Sequence, residues 1–122
     1  MQLEGSVIFV KDLERMAAFY GGMLGLQPIE ETRTNLWIQF NTGMSTLSLH
    51  AIPPEIASGI EISSPARIRE LNPIKLVFAT DNVESERRRL EQSGVRVILR
   101  PWGNCDVVDP EGNVFQIRAH GE

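Results

Sequence analysis

The sequence predicts an α+β fold made of two similar modules, each with one strand, one helix and then three strands. The first observation is a repeat. Residues 12–25 and 81–94 each begin with an aspartate suited to capping a helix and finish with a glycine suited to ending it, and an apolar segment precedes each. The second is that short apolar segments bounded by turn residues follow both helices. Because an internal repeat fixes the architecture, we expect two βαβββ modules, at about residues 1–52 and 74–122, within a single domain.

The first module begins with an apolar strand over residues 5–10 and a helix that starts after Asp12. The Asp12 carboxylate can accept hydrogen bonds from the free amides of a first helical turn. Gly25 can adopt the left-handed conformation that ends a helix. Apolar residues recur between them at helical spacing, at Leu13, Met16, Ala17, Tyr20 and Leu24. Three further strands are predicted over residues 26–31, 36–40 and 46–51.

The second module repeats this order, starting with an apolar strand over residues 74–80. Asp81 is the expected helix cap, and Glu84 three positions later makes a pair resembling a capping box. Leu90 and Val83 share the apolar face, and Gly94 ends the helix. Three more strands are predicted over residues 95–99, 105–108 and 114–119, and Asn104 is predicted to lie in the loop before the second of them.

Residues 53–73 connect the modules and are rich in proline and serine, with Pro53-Pro54 and Ser63-Ser64-Pro65. We expect a connecting segment with one turn of helix. A segment of this length could also act as a lid over a ligand site.

Composition excludes several classes of function. The chain has 122 residues, a net charge of −4 and one cysteine, Cys105, so an internal disulfide framework is impossible. Arg87-Arg88-Arg89 is the densest basic cluster, but glutamates surround it, which argues against a nucleic-acid-binding face. No apolar run approaches the roughly 20 residues that span a bilayer. The first residues lack the features of a signal peptide, so we expect a cytoplasmic protein that contacts neither membranes nor nucleic acids.

Both ends of the chain resemble the vicinal oxygen chelate superfamily, which includes glyoxalases, bleomycin-resistance proteins and extradiol dioxygenases. The opening segment Val7-Ile8-Phe9-Val10-Lys11-Asp12-Leu13-Glu14, followed by Phe19-Tyr20 and Leu24-Gly25-Leu26, is similar to theirs. Trp102-Gly103 and the turn Asp109-Pro110-Glu111-Gly112-Asn113 are similar to their closing segment. The resemblance implies curved mixed sheets around a cavity, a small-molecule ligand and a homodimer. Fold alone does not fix the activity.

The resemblance also implies where a divalent metal would bind, on the first and last strands of the modules. The first-strand positions fall at Gly5 and near Ile74 or Lys75, and the last-strand positions fall at Ser48 and Gln116. None of these is the imidazole, thiolate or carboxylate that divalent metals prefer. We therefore expect no metal cofactor.

His50 leaves the alternative of a degenerate metal site open. Together with Gln116, and with Cys105 as a further donor, it would make a distorted site in a lyase or dioxygenase. His50 is also a candidate acid or base in an isomerase that works without a metal. The simpler interpretation is a hydrogen-bonded histidine near a strand end. Cys105 is expected to be a buried, inert thiol, and His120 a solvated residue at the end of the last strand.

Strand alternation selects the candidate ligand contacts. Thr46, Ser48 and His50 share one face, opposite Leu47 and Leu49. Large aromatic side chains on a concave face suit a planar or apolar ligand. The simpler interpretation of Trp37 and Trp102 is as core or dimer-interface residues. The candidate ligand-binding set is Phe9, Trp37, Gln39, Ser48, His50, Trp102, Gln116 and Arg118.

Three functions follow from these observations. The first is a small-molecule-binding protein of the bleomycin-resistance type, without a metal, that sequesters an apolar, aromatic or cationic ligand. The alternative is a metal-dependent glyoxalase-like lyase or dioxygenase, with a degenerate site around His50 and Gln116. A domain that interacts with another protein is the third, which the sequence neither favours nor excludes.

Overall fold

The computed structural model describes residues 1–103 and 105–121, and the predicted loop position Asn104 lies outside them. The chain divides into two compact units, Met1–Ile62 and Ser63–Glu122. Each unit contains one four-stranded mixed sheet. The two βαβββ modules of the α+β fold are therefore confirmed. That they form one domain stays a prediction.

In unit 1 the four strands are β1 (Gly5–Val10), β2 (Gln27–Pro28), β3 (Trp37–Asn41) and β4 (Thr46–Ala51). Their order across the sheet is β1-β4-β3-β2, with β1 parallel to β4 and the other pairs antiparallel. The bounds of β1 and β4 are those that the sequence predicts.

The single helix predicted up to Gly25 consists of a short helix α1 (Leu13–Ala17) and a wider π-helical segment, Ala18–Met23. The Asp12 side chain accepts a hydrogen bond from the Arg15 amide at 3.1 Å, so this predicted cap is confirmed. Gly25 has a φ of +72°, as expected at the end of a helix. A Cβ at Gly21 would lie 3.2 Å from the Phe40 ring, so glycine allows the wider turn to approach β3 closely.

The predicted strand 26–31 is wrong over most of its length, because β2 has only two residues. Pro28 has no N–H to donate to a ladder, which restricts a strand at this edge. The chain instead forms a 3-10 turn, Glu30–Thr32.

In unit 2 the strands are β5 (Val77–Thr80), β6 (Arg96–Leu99), β7 (Cys105–Val108) and β8 (Val114–Ala119). Their order is β5-β8-β7-β6, with β5 parallel to β8, so the topology repeats that of unit 1. The first strand is shorter than the predicted 74–80, and β7 and β8 have the predicted bounds.

The predicted cap of the second module is wrong by one residue. Helix α3 (Val83–Gln92) is capped by Asn82, whose side chain accepts from the Ser85 amide at 2.9 Å. Asp81 instead lies 3.3 Å from Nε2 of the exposed His120. The predicted pair of Asp81 and Glu84 is therefore wrong as well. Gly94, with a φ of +84°, follows this helix as predicted.

Each sheet buries one face under its helix. In unit 1 the buried face carries Leu49, Ile38 and Phe40, which are at most 1% exposed, beneath Met16 and Tyr20. In unit 2 it carries Val107, Phe115 and Ile117, near Leu90 of α3. Burial of these apolar surfaces is the main favourable contribution to folding.

Strands β3 and β6 differ from their predicted bounds by one residue, and the predicted connecting segment and closing turn are confirmed. The segment between the modules contains one helical turn, α2 (Pro54–Ala57). In the closing turn, Asp109 Oδ1 accepts from the amides of Glu111 and Asn113 at 2.9 and 3.0 Å, and Gly112 has a φ of +90°. Within the described residues, no helix is both long enough and apolar enough to cross a membrane.

Candidate functional site

The face of the unit 1 sheet that points away from α1 carries most of the predicted ligand contacts. Strand register places Phe9, His50 and Trp37 side by side across β1, β4 and β3, and Val7, Ser48 and Gln39 in the next row. We call this surface the His50 face. The alternation predicted for these strands is confirmed, because Leu47 and Leu49 are buried on the opposite side.

His50 lies between two aromatic rings. Its ring centroid is 5.3 Å from that of Phe9 and 5.8 Å from that of Trp37, both in edge-on geometry. Phe9 is 62% exposed, whereas His50 and Trp37 are half-buried. Edge-on aromatic pairs are favourable and restrict ring rotation. The row therefore presents a preformed apolar surface with one imidazole at its centre.

The second row of the His50 face is polar. Ser48 is 2% exposed, which places its hydroxyl at the floor of the surface. Gln39 accepts from the Thr32 hydroxyl at 3.2 Å and donates to the Thr46 hydroxyl at 3.5 Å. These contacts orient the Gln39 amide beside the aromatic row, where it can add directional hydrogen bonds to an apolar site.

The corresponding surface of unit 2, which we call the Gln116 face, is charged. Gln116 lies between Val77 of β5 and Asp106 of β7 in one row. Asp106 is fully buried and accepts at Oδ2 from Lys75 Nζ, at 2.7 Å, and from Arg100 Nε, at 2.8 Å. Asp106 and Glu70 both pair with Arg100 and raise the pKa of its guanidinium. We call Lys75, Arg100, Asp106 and Glu70 the Asp106 cluster.

The other predicted contacts of unit 2 are placed as follows. Arg118 is exposed and shares the Gln116 face, opposite the buried Ile117, as alternation predicts. Trp102 is 68% exposed, with its ring centroid 5.9 Å from the Arg100 guanidinium carbon. The interpretation of Trp102 as a core residue of the chain is therefore wrong. The role of all eight candidate residues in ligand binding stays a prediction.

The expected metal-ligand positions hold groups that do not suit a divalent ion. Gly5 has no donor, and a Cβ there would lie 2.8 Å from the Thr46 carbonyl oxygen, so a longer side chain would displace β4. Taking Asn82 as the counterpart of Asp12 makes Lys75, rather than Ile74, the counterpart of Gly5. The Lys75 ammonium is bonded to Asp106. Within residues 1–103 and 105–121, no three or more histidine, cysteine, aspartate or glutamate side chains form a metal-binding group.

Cys105 is 2% exposed, and burial raises the pKa of its thiol. A buried thiol with a raised pKa is a poor nucleophile and a poor ligand at neutral pH. It lies on the helix-packed face, paired with Ile117, whereas Gln116 points to the other side. Cys105 as a further donor beside His50 and Gln116 is therefore wrong, because Cys105 and Gln116 lie on opposite faces of their sheet.

The sequence interpretation missed the Asp106 cluster. One signal was present: Asp106 is the only charged residue in the apolar strand Cys105–Val108, and a carboxylate in a buried strand requires a cationic partner. The partners themselves were hidden, because Lys75 lies 31 positions away in sequence and Arg100 six positions away.

Similarity to solved structures extends over nearly the whole chain. A glyoxalase/bleomycin resistance protein/dioxygenase family enzyme from Burkholderia phytofirmans is 27% identical, with a TM-score of 0.72 and 96% and 97% of the two chains covered. A lactoylglutathione lyase from Agrobacterium tumefaciens is 22% identical, with a TM-score of 0.68 and coverage of 98% and 93%. The fosfomycin resistance protein FosX from Listeria monocytogenes is 18% identical, with a TM-score of 0.70 and coverage of 97% and 90%.

The last two similarities show a shared fold and no more. No curated protein matches the sequence. The model of one protein family, the Glyoxalase/Bleomycin resistance protein/Dioxygenase superfamily, matches residues 3–117, which is nearly the full length. The repeated βαβββ topology and the matched segment lead to the same conclusion: this chain belongs to the Glyoxalase/Bleomycin resistance protein/Dioxygenase superfamily.

Proposed function

We propose that this protein binds a small organic molecule that carries a flat apolar or aromatic group, and that it does so on the His50 face without a resident metal. The observation that carries the proposal is the preformed row of Phe9, His50 and Trp37, with 62% of Phe9 exposed. Covering an exposed phenylalanine with an apolar group is favourable by roughly 25 cal/mol per Å² of buried area.

The residues around this row support a ligand with both apolar and polar parts. The His50 imidazole at the centre of the row and the Gln39 amide beside the row provide donors and acceptors for one or two hydrogen bonds. The His50 face itself carries no carboxylate among its strand residues, so an aromatic or apolar ligand fits it better than a cationic one. Sequestration, rather than conversion, is the proposed role.

Tryptophan emission provides a direct test. The chain has two tryptophans, so the variant Trp102→Phe leaves Trp37 as the only reporter. Neutral ring compounds such as benzyl alcohol and coumarin are first screened for an increase in melting temperature. A compound that binds as proposed shifts Trp37 emission saturably, and Phe9→Ala weakens its binding about tenfold.

The control variant is Leu99→Ala. Leu99 is 64% exposed, against 62% for Phe9, but belongs to β6 of unit 2. Its replacement is expected to leave binding unchanged. Equal losses in both variants, or no saturable emission change with any ring compound, would contradict the proposal.

The alternative remains a metal-dependent lyase or dioxygenase that uses His50 and Gln116. Two observations support it: His50 places a half-buried imidazole on a sheet face, and the structures similar to this chain include a lactoylglutathione lyase. Metal content of the purified protein separates the two proposals. One tightly bound ion per chain, lost in His50→Ala, would favour the alternative and overturn the metal-free proposal.

We also propose that the protein is a homodimer, because members of the superfamily commonly form dimers. Light scattering coupled to size-exclusion chromatography measures this directly. A mass near twice 13.7 kDa is expected, and a mass near 13.7 kDa at micromolar concentration would overturn it.

A further inference from the structure

The Asp106 cluster is more elaborate than a surface ion pair. Both cations bond to the same oxygen, Oδ2, of a carboxylate that is fully buried. The other oxygen, Oδ1, is also buried and has no hydrogen-bond partner among the described residues. Surface ion pairs contribute little to stability, whereas a buried carboxylate holds its cationic partners in fixed positions.

The two cations differ in their exposure. The Arg100 side chain is 16% exposed, and its guanidinium is bonded to Asp106 and to Glu70. The Lys75 side chain is 42% exposed, and Asp106 is its one ion-pair partner among the described residues. Since an ammonium has three N–H donors, two donors of Lys75 remain for a ligand.

The surroundings of Lys75 on the Gln116 face are cationic and rich in donors. Register places Gln116 in the row of Asp106, and Arg118 follows two positions later on the same face. Arg96 shares this face on β6. Within the described part of the chain, neither Arg96 nor Arg118 belongs to an ion pair.

Cations therefore outnumber carboxylates on this face, although the whole chain has a net charge of −4. The four cations are Lys75, Arg96, Arg100 and Arg118. The carboxylates are Asp106, Glu70 and, beyond the end of β5, Asp81 beside His120. A local excess of positive charge on an acidic protein attracts anions to that surface.

We propose that the Gln116 face is a carboxylate-binding subsite, in which the Lys75 ammonium, the Gln116 amide and the Arg118 guanidinium bind the carboxylate group of a small molecule. In this proposal, Asp106 does not touch the ligand and is a positioning residue for Lys75. The positive charge that a metal would bring to a first-strand position is provided here by the lysine itself.

The amount of charge favours a carboxylate over a phosphate. Among the seven groups named above, the four cations exceed the three carboxylates by one, and a single excess charge suits a monoanion. Charge-assisted hydrogen bonds from an ammonium and a guanidinium to a carboxylate are the stronger ones in proteins. A cationic ligand, which the sequence left open, is unsuited to this face.

A matched pair of ringless probes tests this subsite independently of the proposed function on the His50 face. Butyrate and butyramide have nearly the same shape and differ in charge, and neither carries a ring. Chemical shifts of the ¹⁵N-labelled protein are followed during titration with each. Butyrate is expected to bind at least about tenfold more tightly, with shifts at β5, β7, β8 and the Gln116 side-chain amide.

Two variants assign the effect to Lys75. Lys75→Met keeps the length of the side chain but removes its charge, and is expected to weaken butyrate binding about tenfold. Lys75→Arg keeps the charge and is expected to retain binding, which separates loss of charge from misfolding. Arg88→Met, at an exposed arginine of α3, is the control and is expected to bind like the unmodified protein.

Equal affinity for butyrate and butyramide would overturn the proposal, as would unchanged butyrate binding in Lys75→Met or shifts confined to α3. Any of these outcomes would reduce the Asp106 cluster to a structural role. Tighter binding of butyl phosphate than of butyrate would overturn the assignment to carboxylates.

Discussion

The two units have one topology but opposite surface chemistry. In the rows that correspond by register, unit 1 has Val7, Ser48 and Gln39 where unit 2 has Val77, Gln116 and Asp106. The helix-packed faces stay apolar in both units. The other faces have diverged into an aromatic row around His50 and a cluster of charges around Asp106.

This difference shows which positions the fold constrains. A residue beneath the helix must be apolar to contribute to the core. Both modules therefore have apolar residues at these positions. A residue on the other face is free of that requirement and can be adapted to a ligand. Substitutions at corresponding positions in the two units test this division.

Substitutions at corresponding core positions should have the largest effects on stability, and the effects should be similar in the two units. Leu49 on β4 and Ile117 on β8 are 0% and 4% exposed and occupy equivalent places in their sheets. Replacing either with alanine leaves a cavity and should lower the free energy of unfolding by about 2–5 kcal/mol. Urea unfolding followed by circular dichroism measures both, and a loss below about 1 kcal/mol in one variant would break the equivalence.

Substitutions at corresponding positions on the other faces should differ in their effect on stability. Asp106→Ala removes the acceptor of both Lys75 and Arg100 and should lower the free energy of unfolding by about 2–3 kcal/mol. Gln39→Ala, at the matching position of unit 1, removes only two weak hydrogen bonds and should cost about 0.5 kcal/mol. Urea unfolding measures both variants. Equal losses of unfolding free energy in Asp106→Ala and Gln39→Ala would contradict the structural difference between the faces.

The helix caps give the next smaller effect. Asn82→Ala should lower the free energy of unfolding by about 1 kcal/mol, because the Ser85 amide loses its acceptor. Asp12→Ala should cost a similar amount in unit 1. Asp81→Ala is the control and should have little effect, since Asp81 is 99% exposed. A larger loss of unfolding free energy for Asp81→Ala than for Asn82→Ala would show that Asp81 caps the helix, as the sequence predicted.

The smallest effect on stability is expected from a substitution in the charged helix α3 of unit 2. Hydrogen bonding to Arg89 lowers the pKa of Glu86 below its ordinary value, despite partial desolvation of the carboxyl group. A lowered pKa means that this pair stabilises the fold above the unfolded-state pKa, and that the stabilisation is lost as pH falls through the lower folded-state value. Glu86→Gln should therefore lower the free energy of unfolding by about 0.3–0.5 kcal/mol at pH 7, and by less than that at pH 2.5.

Denaturant unfolding of both forms at the two pH values measures this difference. A loss that is the same at pH 2.5 and pH 7 would show that the Glu86 charge is not its cause.

The sequence allowed the fold to be predicted because the signals for its elements are local. Short apolar segments bounded by turn residues predicted β1, β4, β7 and β8 with their observed bounds. The errors have local causes too: Pro28 restricts β2, and Asn82 competes successfully with its neighbour Asp81 for the cap. These competitions depend on backbone geometry within one or two residues, which composition and spacing do not resolve.

The candidate site was predictable only in part. Alternation correctly brought Phe9, Trp37 and His50 to one face, because strand period and register are regular. The cluster around Asp106 depends on Lys75, which precedes its strand, and on Arg100, which follows another. Side chains that meet from beyond strand ends have no periodic signal in the sequence.

The most direct test of this account is to map two simple probes on the same ¹⁵N-labelled protein. Benzyl alcohol, a neutral ring compound, is predicted to shift amide signals of β1, β3 and β4 around His50. Butyrate, a ringless anion, is predicted to shift signals of β5, β7 and β8 around Gln116. If both probes shifted the same strands, or if neither titration saturated, the two faces would not have the different ligand chemistry proposed for them.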